Sequence, residues 1–398
     1  MGTPAQQRSF ATNAPAGEFN LTRLERVISG PGKVEELGVE LERRKLSRAI
    51  VVTGKTLGAS SLLRRVTGAL GTRCAGVFTG VRQHVPASPV NELLGVIERA
   101  NADCAVSFGG GSPIDSSKVA IYAVLTGQPP GKTALPGTTV GREIIHIAIP
   151  TTLSAGEYTS VGGITNESTL VKEGVGDPRI GPRTVINDPE VTLETPAWLW
   201  VATGMRALDH AIECAYSVRH HPLSDTLATK AIALLVEHLR PSIETRGAEQ
   251  LAHRGECQMA AWFSMFGAPT TGFGLSHLLG HQIGPRWNVP HGVTSCITLP
   301  HAMRFMARIA ADRFGPIAEG FGVAFDPTNP KPGALECADR TARFIAQFDV
   351  PHTLKDAGVP RAEVGEIAGT VQHHLNNSKV VDQPLTREEI VAVLEAAY

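Results

Sequence analysis

Four histidines fall between residues 277 and 301: His277, His281, His291 and His301. In GLSHLLGHQIG, His277 and His281 stand four apart, so on a helix they share a face about one turn apart. His291 follows a proline-marked turn in NVPHGVTSC, and His210 lies upstream in GMRALDHAIE. A His-x-x-x-His pair with a third histidine is transition-metal ligand spacing. A lone buried histidine is usually a satisfied core residue, but four in one short apolar stretch favour chemistry. Arg206 changes what that chemistry is. It stands one turn before His210, so the two side chains project into the same space. A divalent cation wants a carboxylate there, beside its histidines, and a fixed guanidinium repels it. Asp209 points roughly 100° away on an ideal helix, where it can pair with Arg206 or cap a neighbouring group. The set thus offers three imidazole ligands, His210, His277 and His291, with no evident anionic one.

The second chemical signal is FGGGSPIDSSK, Phe108 to Lys118. Three glycines follow an apolar strand, and Ser112 and Pro113 read as the N-cap and first residue of a helix. Glycines let backbone N–H groups approach a ligand closely, and a helix N-terminus favours an anion, so a phosphate or pyrophosphate is the natural guest. The bland alternative is a tight strand-to-helix turn that binds nothing; the cap chemistry and the preceding strand favour the phosphate. The segment is neither GxGxxG nor a Walker loop. In IPTTLSAGEYTS, Thr151, Thr152 and Ser154 sit just beyond another buried-looking strand, where ligands of parallel sheets collect. VVTGKTLG closes the first clear strand with Gly54 and Lys55, where an enzyme that excludes a 2′-phosphate often carries an acid. NADPH is therefore permitted there as well as NADH.

These groups need elements to hold them. The first half alternates β-rich runs with helical stretches, the habit of a parallel α/β sheet. The expected strands are Arg48 to Gly54, Gly76 to Val81, Cys104 to Gly110 and Ile144 to Thr152, with LGASSLLRRVTGAL and VNELLGVIERANA as helices. A hairpin is expected after Thr159, and a last strand within Arg183 to Glu190. From about Thr195 long helical patterns dominate, as in LWVATGMRALDHAIECAYSV and LSDTLATKAIALLVEHL. The expected organisation is a flexible N-terminus (1–20), an α/β domain (21–195) and an all-helical catalytic domain (196–398). A capping box, Thr386 with Glu389, opens the final helix.

Composition narrows the partners. With 398 residues, 42% hydrophobic and 19% charged, the chain is globular and long enough for two domains. A net charge of -1 and the lack of a basic tract argue against nucleic acid and an anionic membrane. Six dispersed cysteines without a CxxC pair argue against a disulfide framework and a cysteine zinc site. The first residues lack a secretory apolar region, position 6 is Gln rather than the Ser or Thr of a myristoylation signal, and no run approaches the roughly 18 apolar residues of a membrane helix. A cytoplasmic location is expected by elimination.

GGGSPIDSSK, IPTTLSAGE, GMRALDHAIE and SHLLGHQIGPRWNVPHG occur in the order and spacing of the iron-containing (group III) alcohol dehydrogenases, which the chain resembles from roughly residue 25 to 395. That resemblance implies an α/β N-terminal dinucleotide-binding domain plus an all-α C-terminal domain, the dehydroquinate synthase-like arrangement, with a site in the cleft between them and a dimer. Through TLSAGEYT and GDPRIGPRTVINDPE the chain is most similar to the maleylacetate reductases of that family. Metal-dependent members carry Asp where this chain has Arg206, with ligands also at the positions of His210, His277 and His291. Maleylacetate reductases lack that Asp, work without the metal and usually have Asn; Arg206 departs from both groups. The resemblance further implies that Gly109, Gly110, Gly111 and Ser112 hold the pyrophosphate. Thr151, Thr152 and Leu153 would line the cofactor cleft, with Lys172 near the nicotinamide ribose. His281 matches the catalytic-site histidine that is not a principal metal ligand.

The expected function is NADH- or NADPH-dependent reduction of a small anionic enone such as maleylacetate, in aromatic-compound degradation. Arg206, His210, His277 and His291 would bind or polarise the substrate, and His281 would supply the proton. The alternatives are an Fe- or Zn-dependent alcohol dehydrogenase using His210, His277 and His291, and a nucleotide-binding protein that has lost catalysis.

Overall fold

The computed structural model describes residues 20–130, 141–168, 172–378 and 380–398, without the side chain of Lys172. The expected N-terminal tail, and the side chain of Lys172, therefore lie outside the described residues, save for Asn20. The strands are β1 (Arg26–Ser29), β2 (Ala49–Gly54), β3 (Cys74–Val81), β4 (Cys104–Gly109), β5 (Ile145–Pro150), β6 (Val161–Thr165), β7 (Lys172–Gly176) and β8 (Thr184–Asn187). All but β6 and β7 form one parallel sheet in the order β1-β8-β5-β4-β2-β3. The expected hairpin after Thr159 is the antiparallel pair β6–β7.

The parallel sheet forms because its strands are apolar on both faces. In β2, Ile50 and Val52 pack into one buried cluster while Ala49 and Val51 pack into another on the opposite face. Helices α1 (Leu37–Arg43), α2 (Lys55–Gly58), α3 (Ser61–Leu70), α4 (Ala87–Arg99) and α5 (Gly111–Thr126) cover these faces. The chain steps outward from β2 to β3 and then returns past β2 to β4. That reversal makes the C-terminal ends of β2 and β4 the switch point where ligands of open parallel sheets bind.

One strand was not expected, and two local expectations need correction. The strand β1 escapes a reading by pattern, because RVIS is short and mostly uncovered at the sheet edge. The segment LGASSLLRRVTGAL is broken at Ser60, whose hydroxyl accepts from Leu63 N at 3.4 Å and caps α3. Ser112 is not the N-cap of its helix: α5 begins at Gly111, with Gly110 at the cap position and no side-chain cap. Glycine takes that place because Gly110 packs so closely on Thr152 that a Cβ would lie 3.1 Å from Cγ2.

After Thr192 the chain becomes helical, with α6 (Ala197–Tyr216), α7 (Pro222–His238), α8 (Pro241–Glu244), α9 (Gly247–Phe266), α10 (Ala268–Thr271), α11 (Leu275–Trp287), α12 (His291–Ile309) and further helices as far as Ala396. The last of these opens with the Thr386–Glu389 capping box in both directions. Helix α6 is buried on every side from Trp200 to Tyr216, as a central helix must be. Its apolar cluster takes in Ala148, Leu153 and Val185 from the sheet layer, so one core runs through both layers. No described helix is long and apolar enough to cross a membrane.

One buried polar pair gives the sheet layer a pH dependence. His146 of β5 is fully buried between Ser107 Oγ (2.8 Å) and the carbonyl of Ile180 (3.1 Å). Burial pushes its imidazole down to about 3, against the Ile180 carbonyl bond, which favours the charged form. Its folded value is depressed, so its contribution is whole above the ordinary value of 6.5 and is lost as pH falls from there towards 3. Urea unfolding at pH 7 and at pH 5 is expected to show that loss, and a His146→Gln variant should show a shallower one.

Candidate active site

The ends of β2, β4 and β5 and the helices α6, α11 and α12 enclose one cleft of about 1900 Å³. It brings together Gly54, Gly109, Gly110, Gly111, Ser112, Thr151 and Thr152 on the sheet side with Arg206, His210, His277, His281 and His291 on the helical side. Leu153 does not line it. The side chain is fully buried behind the threonine loop, and its backbone N–H donates to Thr203 Oγ1 at 3.1 Å. Nor does His301, which stands farther along α12.

On the sheet side, β4 and β5 end in register, Gly109 opposite Pro150, so the glycine and threonine loops leave the sheet together. Gly109 has a φ of 139°, open to glycine alone, and a Cβ there would lie 2.9 Å from Pro113. A Cβ on Gly111 would lie 3.4 Å from Ser154 Oγ. The hydroxyls of Thr152 and Ser154 face this cradle, are buried and have no hydrogen-bond partner. A cradle that any Cβ would fill, with two orphaned hydroxyls beside a sixteen-residue helix start, fits a pyrophosphate.

Lys118, at the end of the glycine motif, secures the loop. It is fully buried, and its ammonium donates to the carbonyls of Gly156 (2.6 Å) and Val161 (2.8 Å) and to Thr159 Oγ1 (2.8 Å). Burial pushes it down to about 8. It sits seven residues beyond Gly111 on the helix face turned to the hairpin, so it reaches the segment between the threonine loop and β6.

On the helical side, α6 presents Arg206, Asp209, His210 and Glu213 at i, i+3, i+4 and i+7, one face of the helix. Helix α11 carries His277 and His281. Asn288, in the left-handed conformation at its end, and Pro290 then turn the chain so that His291 opens α12. Ring centroids are 4.4 Å apart for His277–His281 and 5.1 Å for His281–His291. The ligand atoms of His277, His281 and His291 all lie within 4.8 Å of one another. His210 stands aside from that trio, 5.4 Å from His277 by ring centroids. The compact set therefore contains His281 in place of the expected His210.

Arg206 is buried among them. Its Nη1 donates to Asp209 Oδ2 at 3.1 Å and to Ser295 Oγ at 3.0 Å, and its Nη2 bonds His277 Nδ1. A guanidinium only donates, so His277 Nδ1 is the acceptor and its proton sits on Nε2. Burial, with the Arg206 charge next, holds His277 and His210 well below the usual imidazole range, so both are neutral. Asp209 resolves the alternatives open to it in sequence by pairing with Arg206, and its Oδ2 also accepts from Ser295 (2.6 Å) and Ser276 (2.9 Å). Burial raises its carboxyl against the pull of Arg206 and the two hydroxyls.

Ser276, Ser295, Glu213 and Phe273 were missed in the sequence. Glu213 caps α11, accepting from the N–H groups of Gly274 (2.7 Å) and Ser276 (2.8 Å). Burial, with Asp209 next, pushes its carboxyl up to about 8. Phe273 stacks on His277 at 3.9 Å and 4°. The serines adjoin or follow the histidines at helical spacing, a weak signal; nothing local marks Glu213 or Phe273.

Residues 25–189 match the family model described as iron-containing alcohol dehydrogenase, and residues 200–398 match the C-terminal model of the Fe-containing alcohol dehydrogenase family. A maleylacetate reductase of Burkholderia cepacia is 31% identical over 376 residues, covering 94% of this chain and 96% of that protein. An NAD-dependent methanol dehydrogenase of Bacillus methanolicus is 30% identical, over 86% of this chain and 90% of its own. The solved alcohol dehydrogenase of Oenococcus oeni superposes with a TM-score of 0.88 at 25% identity, over 96% of this chain and 100% of that one.

Proposed function

Because the chain belongs to the iron-containing alcohol dehydrogenase family of NAD(P)-dependent oxidoreductases, we propose that it reduces an anionic enone, maleylacetate or a close analogue, to the saturated keto acid. For maleylacetate the product is 3-oxoadipate. The observation that carries this reading is Arg206, a buried guanidinium where the cleft meets the histidines.

Gly109, Gly110, Gly111 and Ser112 would hold the coenzyme pyrophosphate, with Thr152 and Ser154 donating their unpartnered hydroxyls. The bound dihydronicotinamide supplies a hydride to the carbon–carbon double bond. Charge then develops on the conjugated ketone oxygen. Of the five N–H groups of Arg206, three are engaged by Asp209, Ser295 and His277, which leaves two to meet that oxygen or a substrate carboxylate. The network fixes the guanidinium before substrate arrives, so little reorganisation is needed in the transition state. His281, half-exposed in the cleft, delivers the proton to carbon. His210 and His277, both neutral, bind polar groups of the substrate.

The donors present do not fit a resident metal. A metal-ligating histidine donates its second ring N–H to an acceptor. His277 meets a donor instead, so its Nε2 keeps the proton and has no lone pair to give. Among the described residues no carboxylate joins the three imidazoles. The rival reading, a metal-dependent alcohol dehydrogenase, is favoured by the closeness of His277, His281 and His291, and it requires Arg206 to release His277.

Oxidation of NADH and NADPH with maleylacetate and with simple aldehydes, before and after exhaustive chelation, separates the readings. Turnover of maleylacetate that survives chelation is the expected result. Activity on aldehydes alone, restored only by added metal, would establish the rival. Tight coenzyme binding without any oxidation would leave a binding protein.

A further inference from the structure

We infer that His238 and His253 form a binding site for a divalent cation of tetragonal preference, Cu²⁺ or Ni²⁺, on the surface of the helical layer. Neither residue lines the coenzyme cleft, so the site is independent of the reduction proposed above.

His238 closes α7, and His253 stands fifteen residues on, in the first half of α9, with the short α8 in the turn between them. The fold brings their Nδ1 atoms to 2.9 Å, with ring centroids 5.1 Å apart. Two neutral imidazoles in that contact share one proton: one Nδ1 donates and the other accepts. An ion with bonds of about 2.0 Å holds two nitrogens about 2.8 Å apart at a right angle and about 3.3 Å apart at the tetrahedral angle. The observed separation matches the first, the angle of tetragonal Cu²⁺ and Ni²⁺. Rotation of the two rings turns both lone pairs onto one point. The proton that leaves the donor's Nδ1 is replaced by one on the Nε2 of the same ring, so both imidazoles stay neutral.

The surroundings favour that state. With Nδ1 turned inward to the pair, each Nε2 lies toward a carboxylate: Glu237 Oε1 is 3.8 Å from His238 Nε2, and Glu249 Oε1 is 3.8 Å from His253 Nε2. A metal-bound histidine donates its second ring N–H to such an acceptor. His277 in the cleft fails the same test, because its Nδ1 meets a donor. Glu256 adds a third carboxylate near His238, against one ammonium, that of Lys230. His238 also ends a seventeen-residue helix, whose dipole favours a cation at that end. The two side chains are 15% and 21% exposed, which holds them in place yet leaves an approach for the ion and for the water that completes its sphere.

Titration of the full-length protein with Cu²⁺ and with Ni²⁺, by calorimetry and electron paramagnetic resonance, tests the site without coenzyme or substrate. The parent is expected to take up one equivalent more of either ion than His238→Gln or His253→Gln does, with Cu²⁺ held more tightly than Ni²⁺ and Zn²⁺ far behind. The Cu²⁺ spectrum of that equivalent should be tetragonal, carry the coupling of two imidazole nitrogens, and vanish in either variant. Glu237→Gln and Glu249→Gln should each weaken binding by up to about tenfold, the low end for outer carboxylates. Cu²⁺ should raise the Tm of the parent above its effect on the variants, whereas Zn²⁺ and Fe²⁺ should move none of them. Coenzyme oxidation by His238→Gln and His253→Gln should match the parent. His253 is the more exposed of the two, so its variant keeps the test available should His238→Gln fold poorly. Equal stoichiometry and affinity in the parent and His253→Gln, or a parental Tm that responds to Zn²⁺ as it does to Cu²⁺, would overturn the inference and leave a hydrogen-bonded imidazole pair.

Discussion

An Arg206→Asp variant is expected to lose maleylacetate reduction by a factor of about 10²–10³ in kcat, the range for removal of a preorganised donor to a developing oxyanion. The same variant should gain tight binding of Zn²⁺ or Fe²⁺. Both effects follow from one exchange of polarity. In the parent chain the guanidinium donates to His277 Nδ1 and forces the ring proton onto Nε2. A carboxylate at that position accepts instead, so His277 can turn a bare nitrogen towards His281 and His291, and the carboxylate itself can ligate. The change also leaves Asp209 buried without its cation, a loss of about 3–5 kcal/mol when a buried pair is broken. The variant should therefore have a low Tm that rises on adding metal, while the parent Tm does not respond. Steady-state kinetics, metal content after dialysis and thermal unfolding measure the three effects. A variant that keeps the parental kcat would remove Arg206 from the reaction.

The second large effect is expected at the coenzyme cradle. In Gly110→Val, the new Cβ would lie 3.1 Å from Thr152 Cγ2 and 3.2 Å from its Oγ1, and the branched carbons would occupy the space where a phosphate must sit. The loss of two charge-assisted contacts predicts NADH and NADPH binding weaker by about 10²-fold. Thr152 must give way by a few tenths of an ångström to admit the new Cβ, so a somewhat lower Tm with far-UV circular dichroism unchanged is expected. Fluorescence titration checks the binding. A variant that binds both coenzymes like the parent would place the pyrophosphate elsewhere.

Much of this was legible in the residues, and the reasons for the exceptions are local. The central strands announce themselves because β2, β4 and β5 are largely apolar on both faces, and α6 does so through a long, mostly apolar helical pattern. The edge strand β1 does not, since four residues with a charged start carry no period. The glycine and threonine loops could be paired from sequence because each follows a buried strand. The Ser112 cap could not be corrected that way, because the cap position depends on how close Thr152 comes to Gly110. At the histidines, helix spacing places Arg206 beside His210 and His277 beside His281. Only the folded chain shows that α11 and α12 turn back on α6, so that Ser276 and Ser295 reach Asp209 and His281 displaces His210 from the compact trio. Contacts between elements distant in sequence have no signature within either element.

The absent Cβ of Gly204 has a consequence for engineering. Leu153 Cδ1 lies 3.2 Å, and Leu239 Cδ1 2.7 Å, from where that atom would stand. Leu153 N also bonds Thr203, three residues before Arg206. The threonine loop is thus bolted to the same turn of helix that carries the guanidinium. A chimera that joins this coenzyme half to a relative's helical half would inherit a mismatched joint unless Leu153, Thr203 and Gly204 travelled together. Coenzyme exchange in this scaffold is better sought by point changes within the sheet-side loops than by transplanting the half that holds them.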